Sequence, residues 1–159
     1  MTYAVVRIRG HVNVNGQIRD TLGYLRLYRV NHCVLLPKSP SVDGMLQRAK
    51  DYLTWGEVDP TMAAMLLVRR ARLPGDRSVD DAYVKANSKY PSINSLAKAI
   101  AADQATLKDV KGLKPVLRLN PARGGLGGVK RAYKAGGALG YRGREINTLL
   151  QRMLGMEAG

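Results

Sequence analysis

The first 58 residues switch repeatedly between strand and helix periodicity, and that succession leaves few folds open to this chain. Ala4, Val6 and Ile8 alternate with Val5, Arg7 and Arg9, the period of a half-buried strand with two arginines on its other face. Ile18, Leu22 and Leu25 then recur at helical spacing, with Asn15 placed to cap. His32 to Leu36 is a short apolar run stopped by Pro37 and predicts a second strand. Ser41 can cap a helix whose inner face is Val42, Met45, Leu46 and Ala49, and Leu53 to Val58 predicts a third strand. A β-α-β-α-β order this compact implies an α+β fold: a small three-stranded sheet with both helices on one face. Pattern alone leaves the strand directions open.

The remainder divides by composition. From Val58 to Val110 eight basic residues face six acidic ones, and the segment reads as helices. Asp59-Pro60 is a cap followed by proline at the first helical position, leading into Met62, Met65 and Leu66 and ending near Pro74. Ser78-Val79-Asp80-Asp81 resembles a capping box, and Ser92 precedes a stripe of Ile93, Leu96, Ala97 and Ile100. A strand over Val116–Leu119 and a final helix on Ile146, Leu149, Leu150 and Met153 complete the pattern. The expected division is a core at 1–58, a helical extension at 59–110, and a basic, glycine-rich segment with its helix at 111–159.

The charge is concentrated in that last part. The chain carries 26 Lys and Arg against 12 Asp and Glu, a net charge of +14. Between Lys111 and Leu154 stand ten cations against the single Glu145, together with nine of the seventeen glycines. Such an excess attracts a polyanion, because each neutralised phosphate releases condensed counterions. Arg123-Gly124-Gly125-Leu126-Gly127-Gly128-Val129-Lys130-Arg131 matches neither G-x-x-x-x-G-K-[ST] nor G-x-G-x-x-G, which argues against a mononucleotide site. What remains is a backbone free to take positive φ, flanked by cations, suited to a folded RNA. The run from Lys130 to Arg144 adds Tyr133 and Tyr141, which can stack on bases or riboses, and Lys134, Arg142 and Arg144, which can meet phosphates. The candidate RNA-binding set is therefore Arg118, Arg123, Gly124, Gly125, Gly127, Gly128, Lys130, Arg131, Tyr133, Lys134, Gly136, Gly137, Gly140, Tyr141, Arg142 and Arg144. Arg7 and Arg9 join it as a weaker pair, for which a solvated face is the alternative.

Catalytic chemistry finds little support. His11 and His32 are the only imidazoles and Cys33 the only thiol. Neighbours on a strand point to opposite faces, so His32 and Cys33 do not form a nucleophile–base pair. Asp80 and Asp81 open a helix, where carboxylates favour the macrodipole. No cofactor, metal site or small-molecule substrate is expected. One cysteine forbids an intramolecular disulfide and no apolar run approaches the ~18 residues of a membrane span, so the expected home is the cytosol.

Three segments carry a family resemblance: Val30-Asn31-His32-Cys33, then Ala49 to Glu57 (AKDYLTWGE), and above all Arg131 to Asn147 (RAYKAGGALGYRGREIN). On these the chain resembles the long, archaeal form of the large-subunit ribosomal protein L-thirty, whose eukaryotic relative is L-seven. The resemblance covers Thr2 to Leu154. It implies an antiparallel three-stranded sheet, somewhat ferredoxin-like, with an added helical, glycine-rich C-terminal subdomain. It also implies binding to 23S ribosomal RNA, a role in holding 5S RNA against it, and contact with neighbouring large-subunit proteins. Leu126 departs from the family's aromatic residue at that point and offers only apolar contact. An architectural nucleic-acid binder, an assembly factor and an enzyme are the competing classes.

Overall fold

A computed structural model describes residues 2–10, 14–123, 125 and 128–155. Three strands form the predicted unit: β1 (Thr2–Arg7), β2 (His32–Pro37) and β3 (Leu53–Glu57). β1 lies between the others and pairs antiparallel with both, with Val5 opposite Val34 on one side and Trp55 on the other. Helices α1 (Gly16–Tyr24) and α2 (Pro40–Arg48) cover one face, where Tyr3, Val5, Leu22, Leu46 and Trp55 share a core. Asn15 caps α1 as expected, accepting from Gln17 N–H at 2.9 Å. The cap of α2 is Ser39 rather than Ser41, because Pro40 takes the first helical position and Ser39 Oγ accepts from Val42 N–H.

The other face of this sheet is covered as well. After β3 come α3 (Pro60–Arg70), a short hairpin of β4 (Arg72–Leu73) and β5 (Arg77–Ser78), then α4 (Asp81–Asn87) and α5 (Ile93–Ala101). Ala4, Val6, Cys33 and Leu35 are buried in one cluster with Leu66, Leu96 and Ile100 of these helices. Strand β1 is thus buried on both faces, which corrects its half-buried reading. Its arginine-bearing face, with Val5, meets α1 and α2, while the face of Ala4, Val6 and Ile8 meets helices more than 50 residues away in sequence. Asp80, not Ser78, caps α4 by accepting from Tyr83 N–H at 2.8 Å, and Asp81 Oδ1 accepts from Ile93 N–H at 2.9 Å. Both carboxylates therefore serve helix ends.

The C-terminal third completes the sheet. β6 (Leu117–Arg118) adds antiparallel to β2, and β7 (Gly128–Ala132) with β8 (Gly137–Tyr141) add beyond β3, giving the order β6-β2-β1-β3-β8-β7. The sheet has six strands where the pattern suggests a unit of three and a separate strand at Val116–Leu119, which forms as β6; both outer edges of β2-β1-β3 are capped by later strands. Helix α6 (Ile146–Met153) lays Ile146, Leu149, Leu150 and Met153 into the second core. Asn147 fixes its position, donating from Nδ2 to Glu57 O at 3.1 Å and accepting from Asp59 N–H at 2.9 Å.

Candidate nucleic-acid interface

β8 runs parallel to β3, with Thr54 opposite Gly140 and Trp55 opposite Tyr141. β7 is the outermost strand, Gly128 opposite Gly137 and Ala132 opposite Leu139. The two are joined by a 3₁₀ turn over Tyr133–Ala135, closed by Gly136 in the left-handed region at φ +86°. A Cβ at Gly137 would run into the Arg131 main chain, so this glycine permits β7 to cross β8 closely. Every residue from Lys130 to Gly136 is exposed. The result is a protruding sheet edge that presents Lys130, Arg131 and Lys134 to solvent, with Tyr133 37% exposed among them.

Arg142 holds that edge from within. Its guanidinium is buried, donating from Nε to Thr54 Oγ1 and from Nη2 to Ala138 O, each at 2.7 Å. The Thr54 hydroxyl in turn donates to Gly140 O at 2.9 Å. The same guanidinium stacks 4.7 Å from the Tyr133 ring centroid and so supports the exposed tyrosine from behind. Arg142 is therefore a clamp for β8 and not a surface cation, and its position among the phosphate-binding residues is reassigned. Burial lowers its pKa from the ordinary arginine value, yet the side chain stays charged.

Arg7 has an equally internal role. It is 3% exposed and donates to Arg9 O at 2.9 Å, Leu27 O at 2.7 Å and Gly10 O at 3.3 Å. Its pairing with Arg9 as a cationic face does not form, because the α1–β2 connection folds over it. Arg9 is half-buried, with its guanidinium 5.0 Å from the Tyr52 ring centroid.

The other candidates separate into groups. Arg123 is exposed beside the end of α6, where Arg152 Nη1 donates to Arg123 O at 3.2 Å and to Gly125 O at 2.8 Å. Gly125 takes φ +79°, in the left-handed region. Arg144 is exposed in the 3₁₀ turn Gly143–Glu145 that leads into α6. Arg118, exposed on β6, lies at the opposite end of the sheet from β7. Gly124, Leu126 and Gly127 lie outside the described residues. Thr54, Glu57 and Arg152 carry no functional signal in sequence, where they read as a strand hydroxyl, a strand end and a helix cation.

Tyr141 is half-exposed and donates its hydroxyl to the carboxylate of Glu57 at 2.7 Å, with Lys38 Nζ 3.9 Å from the same carboxylate. The bond to Glu57, then burial, push the phenol from 10.0 up to about 12. The raised value belongs to the folded state, so the stabilisation it represents is complete below pH 10 and is lost as pH rises through about 12. An alkaline absorbance titration, with Tyr141→Phe subtracted, should show this phenol ionising near 12, and Glu57→Gln should return it toward 10.0.

Cys33 is wholly buried and burial pushes its thiol up to about 12, so no thiolate nucleophile stands there at neutral pH. His32, on the opposite face of β2, is held below its ordinary pKa by burial and by the nearby Arg118, Arg29 and Arg7.

A family model described as Ribosomal protein L30p/L7e matches residues 3–53, from β1 to the first residue of β3. The large ribosomal subunit protein uL30 of Methanosphaera stadtmanae is 50% identical over 152 residues, covering 96% of this chain and 99% of that protein. The chain belongs to the L30p/L7e family of ribosomal proteins. The uL30 proteins of Methanoregula boonei, 49% identical over 152 residues, and Methanoculleus marisnigri, 47% over 151, each cover 95% of the chain and 99% of themselves. This coverage extends the L30p/L7e likeness through β7, β8 and α6, beyond the residues that the family model matches. Membership in L30p/L7e makes the chain a structural component of the ribosome and not an enzyme.

Proposed function

We propose that the chain is a structural constituent of the large ribosomal subunit that binds 23S ribosomal RNA through the β7 edge and helps attach 5S RNA to it. The observation that carries this reading is the exposed run Lys130–Gly136, whose three cations stand on β7 and its following turn, beside the strand β8 that Arg142 and Thr54 fasten to the core. Cations on a rigid edge can match the spacing of a phosphate backbone without first losing the entropy of a mobile loop. Tyr133 offers a ring face already supported by Arg142, suited to an unpaired base or a ribose. Arg123, Arg144 and the neighbouring glycines 124, 125, 127, 128, 136, 137 and 140 extend the surface, the glycines by allowing a backbone to approach closely. Residues 1–58 and 59–110 then act as the platform and its cover. The 5S contribution and contacts with neighbouring large-subunit proteins rest on the family resemblance. The site of action is the cytoplasmic ribosome.

Quantitative mass spectrometry of gradient-purified large subunits tests the proposal. One copy per mature subunit, retained through a high-salt wash, is the expected result. Presence only in precursor particles would make the chain an assembly factor instead.

A further inference from the structure

The connection from α1 to β2 carries a second cationic surface, at the sheet end opposite β7. Helix α1 closes with Leu27 N–H donating to Leu22 O at 2.9 Å and Arg26 N–H donating to Gly23 O at 3.0 Å. That pair of bonds requires a left-handed residue, for which glycine is the usual choice. Here the residue is Arg26, at φ +62°. A side chain in that region is strained, so this arginine stands where folding alone favours glycine. Leu25 and Leu27 point into the core, while Tyr24, Arg26 and Tyr28 alternate outward, followed by exposed Arg29. Tyr24 is 79% exposed and Tyr28 55%, an unusual pair of rings to leave in water.

Beside them a cleft of about 260 Å³ is lined by Tyr24, Arg26, Leu36, Pro37, Lys108 and Pro115. It is smaller than the usual 300–1,000 Å³ range for drug-sized ligands and suits a single planar base better than a cofactor. Strand β2 borders it, and pairing with β6 stops at Cys33, so from Val34 onward no described strand covers that edge. Asp109, in the turn that carries Lys108, accepts from Thr106 N–H at 3.0 Å and is engaged locally.

We propose that this surface is a second RNA site, one that takes unpaired nucleotides. A base stacks on Tyr24 within the cleft, with its edge toward the open strand. A second stacks on Tyr28, and the flanking phosphates meet Arg26, Arg29 and Lys108. Stacking of this kind tolerates any base, because every base has a π face. Arg118 on β6 lies at the same end of the sheet. Five strand spacings separate this end from β7, about 24 Å, so the protein holds two separate stretches of RNA. The proposal rests on the RNA-binding reading above.

The test is chemical footprinting and affinity measurement of the full chain on a transcript of the Methanosphaera stadtmanae large-subunit RNA. Wild type should protect two patches. Tyr24→Leu/Tyr28→Leu should erase one of them and weaken binding about tenfold or more, while Tyr24→Phe/Tyr28→Phe should keep both. Arg26→Gly should weaken the same patch yet raise Tm by about 2–4 °C, because glycine relieves the left-handed strain. An unchanged footprint and affinity in the leucine variant, with binding still lost in Lys130→Gln/Arg131→Gln/Lys134→Gln, would overturn this site alone. Photo-cross-linking of Tyr24 or Tyr28 to a protein in intact large subunits would overturn it equally. Absence of any wild-type footprint would overturn the RNA reading together with it.

Discussion

Gly56→Ala is expected to destabilise the fold by about 3 kcal/mol or more, although it adds one methyl group. Gly56 lies in β3, where every residue is buried, directly beneath the turn Gly143–Glu145. A Cβ there would fall within the Gly143 carbonyl group and 3.1 Å from Ile146 Cβ. Overpacking against side chains typically costs about 1–3 kcal/mol because rotamers can adjust. Here the obstacle is main chain, and moving it strains the bond from Arg142 N–H to Trp55 O at 2.9 Å and the Asn147 pin on α6. A urea titration should show the midpoint falling by about 1–3 M at an unchanged slope. Gly44→Ala is the control: it is a helical glycine whose Cβ would meet nothing within 4 Å, and it should stabilise by about 0.5–1 kcal/mol. Equal stability of Gly56→Ala and wild type would mean that the turn does not lie on β3.

RNA affinity is expected to fall about 10³-fold between 50 and 200 mM salt through the C-terminal cations alone. Between Arg118 and Arg144 the sequence has seven cations, but Arg142 is buried, which leaves Arg118, Arg123, Lys130, Arg131, Lys134 and Arg144 exposed. Six phosphate contacts give a slope near −5.4 in log affinity against log salt, at about −0.9 per contact. Lys130→Gln/Arg131→Gln/Lys134→Gln should flatten that slope by about 2.7. Arg142→Gln should leave it unchanged while lowering stability, because its guanidinium meets Thr54 and Ala138 rather than solvent. A slope near zero for wild type would remove the electrostatic basis of the proposed interface. A loss of slope in Arg142→Gln at full stability would show that the guanidinium leaves its internal site on binding RNA.

Much of the candidate surface was legible in the chain. The density of cations and glycines after Lys111 pointed to the strand edge that the fold exposes, because charge without matching acids has no low-cost place in a core. What the pattern could not separate was which cations are exposed. Arg131 and Arg142 look alike in sequence, each beside a small residue and near a tyrosine. One projects from β7 while the other passes beneath β8 to a threonine 88 residues earlier. Arg7 shows the same limit: alternation on β1 offers it a solvated face, yet that face packs beneath α1 and α2, and the α1–β2 connection takes its guanidinium through Leu27 O.

The sequence by itself determined the local elements: three strands and two helices in order, the helix starts at Asn15 and Ser92, the apolar face of α6, and the basic character of the last third. These follow from periodicity and capping, which act within a turn or two of the chain. Only the tertiary structure decided that β6, β7 and β8 close the edges of the first three strands, that both faces of β1 are covered, and that Arg7 and Arg142 work inside. Strand pairing and burial depend on which distant segments meet. No local period encodes that, because it is settled by the free energy of the whole packed sheet.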